Sequence, residues 1–454
     1  MNAFFVFFAI LFFGFLYIWI GFRASKGQKT NEDYFLMGRK LSFFPLCMTL
    51  LATQVGGGSF IGAAEEAYRS GWIVLIYPLG AALGLCVLGL GFGAKLRQMQ
   101  VNPIAELFER VYGSPSLRYL ASALSILSLF LALVGQGIAA QKFFVTLGLT
   151  APYLFVGFWL LFVAYTVMGG LKAVIETDVL QALIILAAVG VLWGSLDLTP
   201  LTQVNPLQIE EGMSSFASQI SWFLMPLLFM LIEQDMGQRC FAARTPAIVR
   251  PAAIISALLL LGSSAVTITI GILAKQQGVV AAEGETILVA ALGSLVSPAA
   301  GSLFIAAIFM AIASTADSLL CSIGSNITYD FILLPSQVQT QGLCLSRWIT
   351  FFTGLAALVL VFLFDNILSL LIFGYSLCVC TLFVPIVMAI LSARPSPGGA
   401  YGSVVGGGIG LMLLYPYSLP IPSELLALSF SLLGFGVGQT LLCSKALEVI
   451  NEEQ

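Results

Sequence analysis

Apolar residues in this chain run in long, nearly unbroken blocks, separated by short stretches marked by Gly, Pro and charge. That is the pattern of buried helices, not the two-residue alternation of half-buried strands. A helix needs about 20 mainly apolar residues to cross the hydrocarbon of a bilayer. Thirteen blocks approach or exceed that length: 3–22, 42–71, 73–94, 118–148, 152–169, 174–197, 216–237, 248–274, 299–333, 347–364, 367–391, 401–417 and 423–443. The longest predict tilted, kinked or interrupted helices rather than straight rods. The expectation is an all-α polytopic membrane protein of about 13 transmembrane helices, with no soluble domain between them.

Composition agrees, with 59% apolar residues, 9% charged residues and a mean hydropathy of +1.01 over 454 residues. Orientation follows from the 19 Lys and Arg, because cytoplasmic ends retain positive charge. With the N-terminus outside and the C-terminus inside, Arg23, Lys26, Lys29, Arg39, Lys40, Lys95, Arg97, Arg110, Arg118, Lys172, Arg239, Arg244, Arg250, Arg347, Arg394 and Lys445 all fall inside. Only Arg69, Lys142 and Lys275 remain outside. The first block has its positive charges after the apolar run, so it reads as an anchor rather than a cleaved leader. The bilayer is then the chain's solvent, and the inner membrane of a cell its location.

The sequence has no histidine, which excludes Ser-His-Asp catalysis, HExxH zinc chemistry and imidazole relays, and argues against an enzyme. Eight scattered cysteines show no metal-ligand spacing. A net charge of −3 leaves no nucleic-acid footprint.

Chemistry concentrates where polar groups enter apolar blocks. In the ninth block, Ala311, Ser314, Thr315 and Ser318 recur at helical spacing and share a face, with Asp317 beside them. Such a face suits a small hard cation, although hydroxyls also return to the carbonyl four residues back. In the second block, ATQVGGGSFIG sets Gly56, Gly57 and Gly58 at mid-membrane. Either the helix breaks there and frees carbonyls, or Gly58 and Gly62 serve close packing. Pro226 is expected to interrupt the seventh block, with Glu233 and Asp235 following toward its inner end. Each interrupted block opens a run of five, as an inverted-repeat transporter requires. Asp178 lies near the cytoplasmic end of the sixth block, as a solvated residue or an acidic step on an ion path.

Together NEDYFLMGRKL, ATQVGGGSFIG, GGLKAVIETDVLQ, QRCFAAR and STADSLLCSIGSNITYD resemble the solute:sodium symporter family, over residues 30–395. The resemblance implies a leucine-transporter-like 5+5 core with two broken helices and Na+ as coupling ion. It divides the chain into an N-terminal extra helix with a basic loop (1–41), two five-helix repeats (42–198 and 199–394) and two C-terminal extra helices with a short tail (395–454). Its principal sodium site corresponds here to Ala52, Val55, Ala311, Ser314 and Thr315. A second sodium site or exit path corresponds to Asp178, Asp317, Ser318 and again Ser314. Substrate positions are Gln54, Gly57, Gly58, Ser59, Phe60, Phe229, Met230 and Glu233. The sugar-binding polar pair of the sugar-transporting relatives is missing, since Gly58 and Ser59 stand there.

The function expected is import of a small organic solute (amino acid, small carboxylate or vitamin-like) with sodium, by alternating access and as a monomer. A helix N-terminus at a break would hold a carboxylate. Proton coupling in the same fold, a passive channel or facilitator, and a transport-free sensor are the competing readings.

Overall fold

The computed structural model describes residues 3–200, 216–282, 285–332, 342–364, 367–392, 395–414 and 421–452, without side-chain detail for 3–11, 216–218, 367–369 and 441–452. Arg394 and the side chain of Lys445, both counted above, lie outside this description. The described residues are helical throughout, apart from connections and one isolated bridge between Leu41 and Ala243. Helices follow the apolar blocks: α1 (Ala3–Ser25), α3 (Phe43–Gln54) with α4 (Ala63–Ser70), α5 (Ile76–Val87) with α6 (Gly93–Met99), α8 (Pro115–Thr146), α9 (Pro152–Ser195), α10 (Phe216–Ile232) with α11 (Gln234–Ala242), and α12 (Val249–Gln276). Then come α14 (Pro298–Ile327), α15 (Gly342–Val361), α16 (Ile367–Cys378) with α17 (Val384–Leu391), α18 (Pro397–Leu414) and α19 (Ser423–Glu452). The periodicity did not indicate the short helices α2 (Asn31–Leu36), α7 (Glu106–Tyr112) and α13 (Ile287–Leu295) in the connections. Among the described residues, seven helices are long and apolar enough to cross a membrane by length and composition.

Where two blocks touch, glycine makes the turn. Within α9, Gly170 takes φ +53°, ψ −151° and divides the helix into two arms. A helix end releases carbonyls that need new donors. Tyr34 Oη donates to the carbonyls of Thr166 (3.3 Å) and Val167 (3.0 Å), Arg347 to Met168 (3.2 Å) and Gln28 to Gly169 (2.7 Å). A Cβ at Gly170 would stand 2.5 Å from the Tyr34 carbonyl oxygen, so the site excludes every side chain.

Basic residues tie helix ends and connections together. Arg23 pairs with Glu176, Arg39 with Glu32 and the Gln100 carbonyl, Arg97 with the Ala243 carbonyl, and Arg118 with Glu109 and Asp330. Arg239 departs from the charge pattern. It belongs to α11 and is fully buried, not a member of the solvated set.

The break in the seventh block is also displaced. α10 continues through Pro226 to Ile232, and the chain leaves helical geometry at Glu233 (φ −65°, ψ 127°). Proline removes one backbone donor, which a helix tolerates as a kink when its neighbours pack well. Here α5 packs closely: a Cβ on Gly84 would lie 2.7 Å from both the Leu227 carbonyl oxygen and Met230 Cβ. Glu233 and Asp235 therefore lie buried at a break between two helices.

Candidate functional site

The glycine run at 56–58 does interrupt the second block. α3 ends at Gln54, Val55 turns away (φ −89°, ψ 77°), and helix resumes through a π-turn at Gly58–Gly62 into α4. Three carbonyls lose their helical partners, and each meets a hydroxyl. Ser314 Oγ donates to the Ala52 carbonyl at 2.8 Å, Thr315 Oγ1 to Thr53 at 2.9 Å, and Ser59 Oγ to Gln54 at 2.9 Å. Ser314 and Thr315 also lie 3.0 and 3.1 Å from the Ala311 carbonyl of their own helix. Five neutral oxygens from α3 and α14 thus converge: the carbonyls of Ala52, Thr53 and Ala311 and the hydroxyls of Ser314 and Thr315. The resemblance placed Val55 in this set, yet the hydroxyl contact goes to Thr53. Val55 keeps its N–H on Leu51 (3.0 Å).

Neutral oxygens at this density suit a weakly hydrated, singly charged hard ion, which needs no carboxylate and must also leave. Glycine permits the approach, since a Cβ on Gly56 would stand 2.6 Å from Thr315 Oγ1. The resumed helix is held by Gln136 of α8, whose Oε1 accepts the Gly57 N–H at 2.9 Å.

A second polar cluster lies beside the first, organised around Arg239. Its guanidinium donates to Asp178 Oδ2 (3.2 Å), Thr49 Oγ1 (2.9 Å), the Asp235 carbonyl (3.0 Å) and Ser318 Oγ. Asp178 also accepts from Thr49 at 2.5 Å, while its Oδ1 has no partner. Asp317 accepts from Tyr165 Oη at 2.5 Å and lies 3.4 Å from Ser318 Oγ. Ser318 joins the clusters, reaching the Ser314 carbonyl (2.6 Å) and Thr53 Oγ1 (3.1 Å). Asp178, Ser318 and Arg239 are all fully buried, so none is the solvated rim residue that position in the block would allow.

Between the two breaks is a narrow cavity. Gln54, Gly58, Ser59 and Glu233 line it, as the resemblance implies, together with Tyr77, Gln136, Asp235, Thr315 and Tyr375. The other anticipated substrate residues stand apart from it. Phe60 packs on Phe304 (ring centroids 5.1 Å apart), Met230 lies against Gly84, and Phe229 stacks behind Tyr375 at 4.4 Å. Gly57 contributes its N–H to Gln136 rather than to the cavity. Gln136, alone among apolar residues in ALVGQGIAA, carried a legible signal for its role. Arg239 and Tyr375 carried none that separates them from a loop cation and a packing aromatic.

Two broken helices, with freed carbonyls facing hydroxyls on a buried helix and a cavity between the breaks, define a secondary transporter of the leucine-transporter-like fold. Comparison with solved structures agrees: a Na+-coupled sialic acid symporter in a substrate-bound outward-open state superposes with TM-score 0.79, at 20% identity, over 96% of both chains. A nucleobase-cation-symport-1 family transporter with bromovinylhydantoin bound, in a closed conformation, gives 0.61 at 15% identity over 92% of this chain and 96% of the other. The chain belongs to the sodium:solute symporter family, whose profile matches residues 34–407. The sodium/pantothenate symporter of Haemophilus influenzae is 24% identical over 92% of both sequences. The sodium/glucose cotransporter of Vibrio parahaemolyticus is 30% identical over 36% of this chain and 30% of its own length. The protein is a sodium-coupled symporter, and its multi-pass helical fold is that of its family.

Proposed function

We propose that the sodium ion binds among the carbonyls of Ala52, Thr53 and Ala311 and the hydroxyls of Ser314 and Thr315, and that a small organic solute binds in the cavity between the breaks. The observation that carries this reading is the position of Thr315, which belongs to both: its hydroxyl meets the Thr53 carbonyl at 2.9 Å and its side chain lines the cavity. Sodium draws α3 and α14 together, and solute then joins the two breaks. Coupling is the difference in ion affinity between the outward and inward arrangements. A potential of 100 mV supplies about 2.3 kcal/mol per ion, or roughly fifty-fold accumulation of a neutral solute.

Asp178 marks the inward route of the ion, since hydroxyls of Ser318, Thr53 and Thr49 lead from the first cluster to it. The second ion position of the resemblance is taken by the Arg239 guanidinium, which favours one sodium per cycle. In this reading thirteen helices cross the inner membrane, with the N-terminus outside, the C-terminus in the cytoplasm, repeat boundaries at 42, 199 and 395, and a monomer as the working unit. The test is thermal stability of the purified full chain in sodium and in potassium, with and without amino acids, vitamins, organic acids and sugars. A solute that stabilises only in sodium identifies ligand and ion together. Indifference to exchange of sodium for potassium would refute the assignment.

A further inference from the structure

The cavity has an unusual charge. Glu233 and Asp235 both line it, at 6% and 1% exposure, and no Lys or Arg does. Their oxygens are only partly engaged. Glu233 Oε2 accepts from Gln54 Nε2 at 3.2 Å, and Asp235 Oδ1 accepts the Met236 N–H at 2.8 Å; Asp235 Oδ2 meets no donor among the described residues, its near neighbour being the Glu233 carboxyl itself. A buried carboxylate oxygen without a donor is costly, and native sites supply one. Arg239 does not, because its guanidinium is turned to Asp178, Thr49, Ser318 and the Asp235 main-chain carbonyl.

The anticipated carboxylate site is also closed. Asp235 occupies the N-terminus of α11 with its own side chain, and Gln136 takes the Gly57 N–H at the other break. An anionic solute would meet two carboxylates and no cationic side chain. The remaining lining adds the rings of Tyr77 and Tyr375, whose faces attract cations.

Resting on the solute site proposed above, we propose that the transported solute carries a compact cationic nitrogen head with at least two N–H donors, such as a primary ammonium or amidinium, held between Glu233 and Asp235. Gln54 and Tyr375 complete its surroundings. A free amino acid satisfies this through its ammonium; a simple carboxylate or a sugar does not. The alternative occupant of two facing acids is a proton.

The experiment measures thermal stability of the full chain in sodium and in potassium with propylamine, putrescine, agmatine, propionate, glutarate and glucose. Glu233→Gln and Asp235→Asn are measured alongside, and the sodium-against-potassium difference without solute reports whether each variant retains its fold and ion site. The expected result is stabilisation by at least one amine in sodium only, with affinity reduced ten-fold or more in each variant while its sodium response persists. Stabilisation by propionate, glutarate or glucose but by no amine overturns the proposal. So does unchanged amine affinity in the variants, or stabilisation by acidification in place of any amine. Loss of the sodium response in the wild-type chain instead defeats the ion-site reading on which the proposal rests.

Discussion

Removing the charge of Arg239 tests the central electrostatic arrangement. Arg239 and Asp178 are both fully buried and 3.2 Å apart. At an effective dielectric constant near 20, their attraction is about 5 kcal/mol. Arg239→Gln leaves Asp178 and Asp317 facing each other across Ser318 without a counter-charge. Truncating one member of a buried pair costs about 3–5 kcal/mol, because the other charge remains desolvated. Asp178→Asn leaves Arg239 unpaired and carries a cost of the same size. The double variant removes both charges and recovers much of the loss, so the double-mutant cycle should give a coupling of about 2 kcal/mol or more.

If Arg239 stands where a second ion would bind, the Arg239→Gln variant gains a vacancy lined by Asp178, Asp317 and Ser318. Its sodium dependence should then steepen, from a Hill coefficient near one toward two. Stability is followed by thermal denaturation in detergent, and ion binding by sodium titration against a constant total of sodium and potassium. A coupling below about 0.5 kcal/mol, within the additivity of independent sites, would refute the pairing. An unchanged Hill coefficient would refute the claim that Arg239 replaces an ion.

Three further outcomes follow from the same geometry. Ser314→Ala removes one of five oxygens, and loss of a ligand to a charged partner, about 1.5–3 kcal/mol, raises the sodium concentration for half-maximal uptake roughly ten- to hundred-fold; an unchanged sodium titration removes Ser314 from the site. Gly56→Ala places a methyl 2.6 Å from Thr315 Oγ1, so sodium-dependent stabilisation should fall while the potassium baseline changes little; equal losses in both salts would mean general misfolding. Gly170→Ala combines φ +53° with a contact of 2.5 Å to the Tyr34 carbonyl. It should lower the yield of monodisperse protein, the backbone conformation alone, at a positive φ and ψ −151° that essentially only glycine adopts, costing about 1–3 kcal/mol, and normal yield and melting would show that the turn can be rebuilt.

Much of the architecture was legible because helix formation in lipid is a local matter. Twenty apolar residues must satisfy their own backbone whatever surrounds them, so the block pattern located the long helices of the described residues but not the short connecting ones, and Gly56–Gly58 located the first break. The oxygen cluster on α14 was legible for the same reason, since Ser314 and Thr315 share a helical face with Ala311. The Thr53 carbonyl that meets Thr315 was not legible, because the direction of a carbonyl after a break depends on how the chain turns.

What lies around Arg239 required the folded chain. Read along the sequence, QRCFAAR ends an apolar block and its arginines look alike; in three dimensions Arg244 reaches the exposed end while Arg239 is enclosed by α3, α9 and α14. Burial and charge pairing are properties of residues 61 and 190 positions apart in sequence, and no periodicity reports them. Likewise Pro226 was the strongest local breaking signal, yet the chain breaks at Glu233, because packing against α5 carries the helix past the proline. Local chemistry decided where helices form; long-range packing and desolvation decided which polar groups meet, and therefore what the cavity between them can hold.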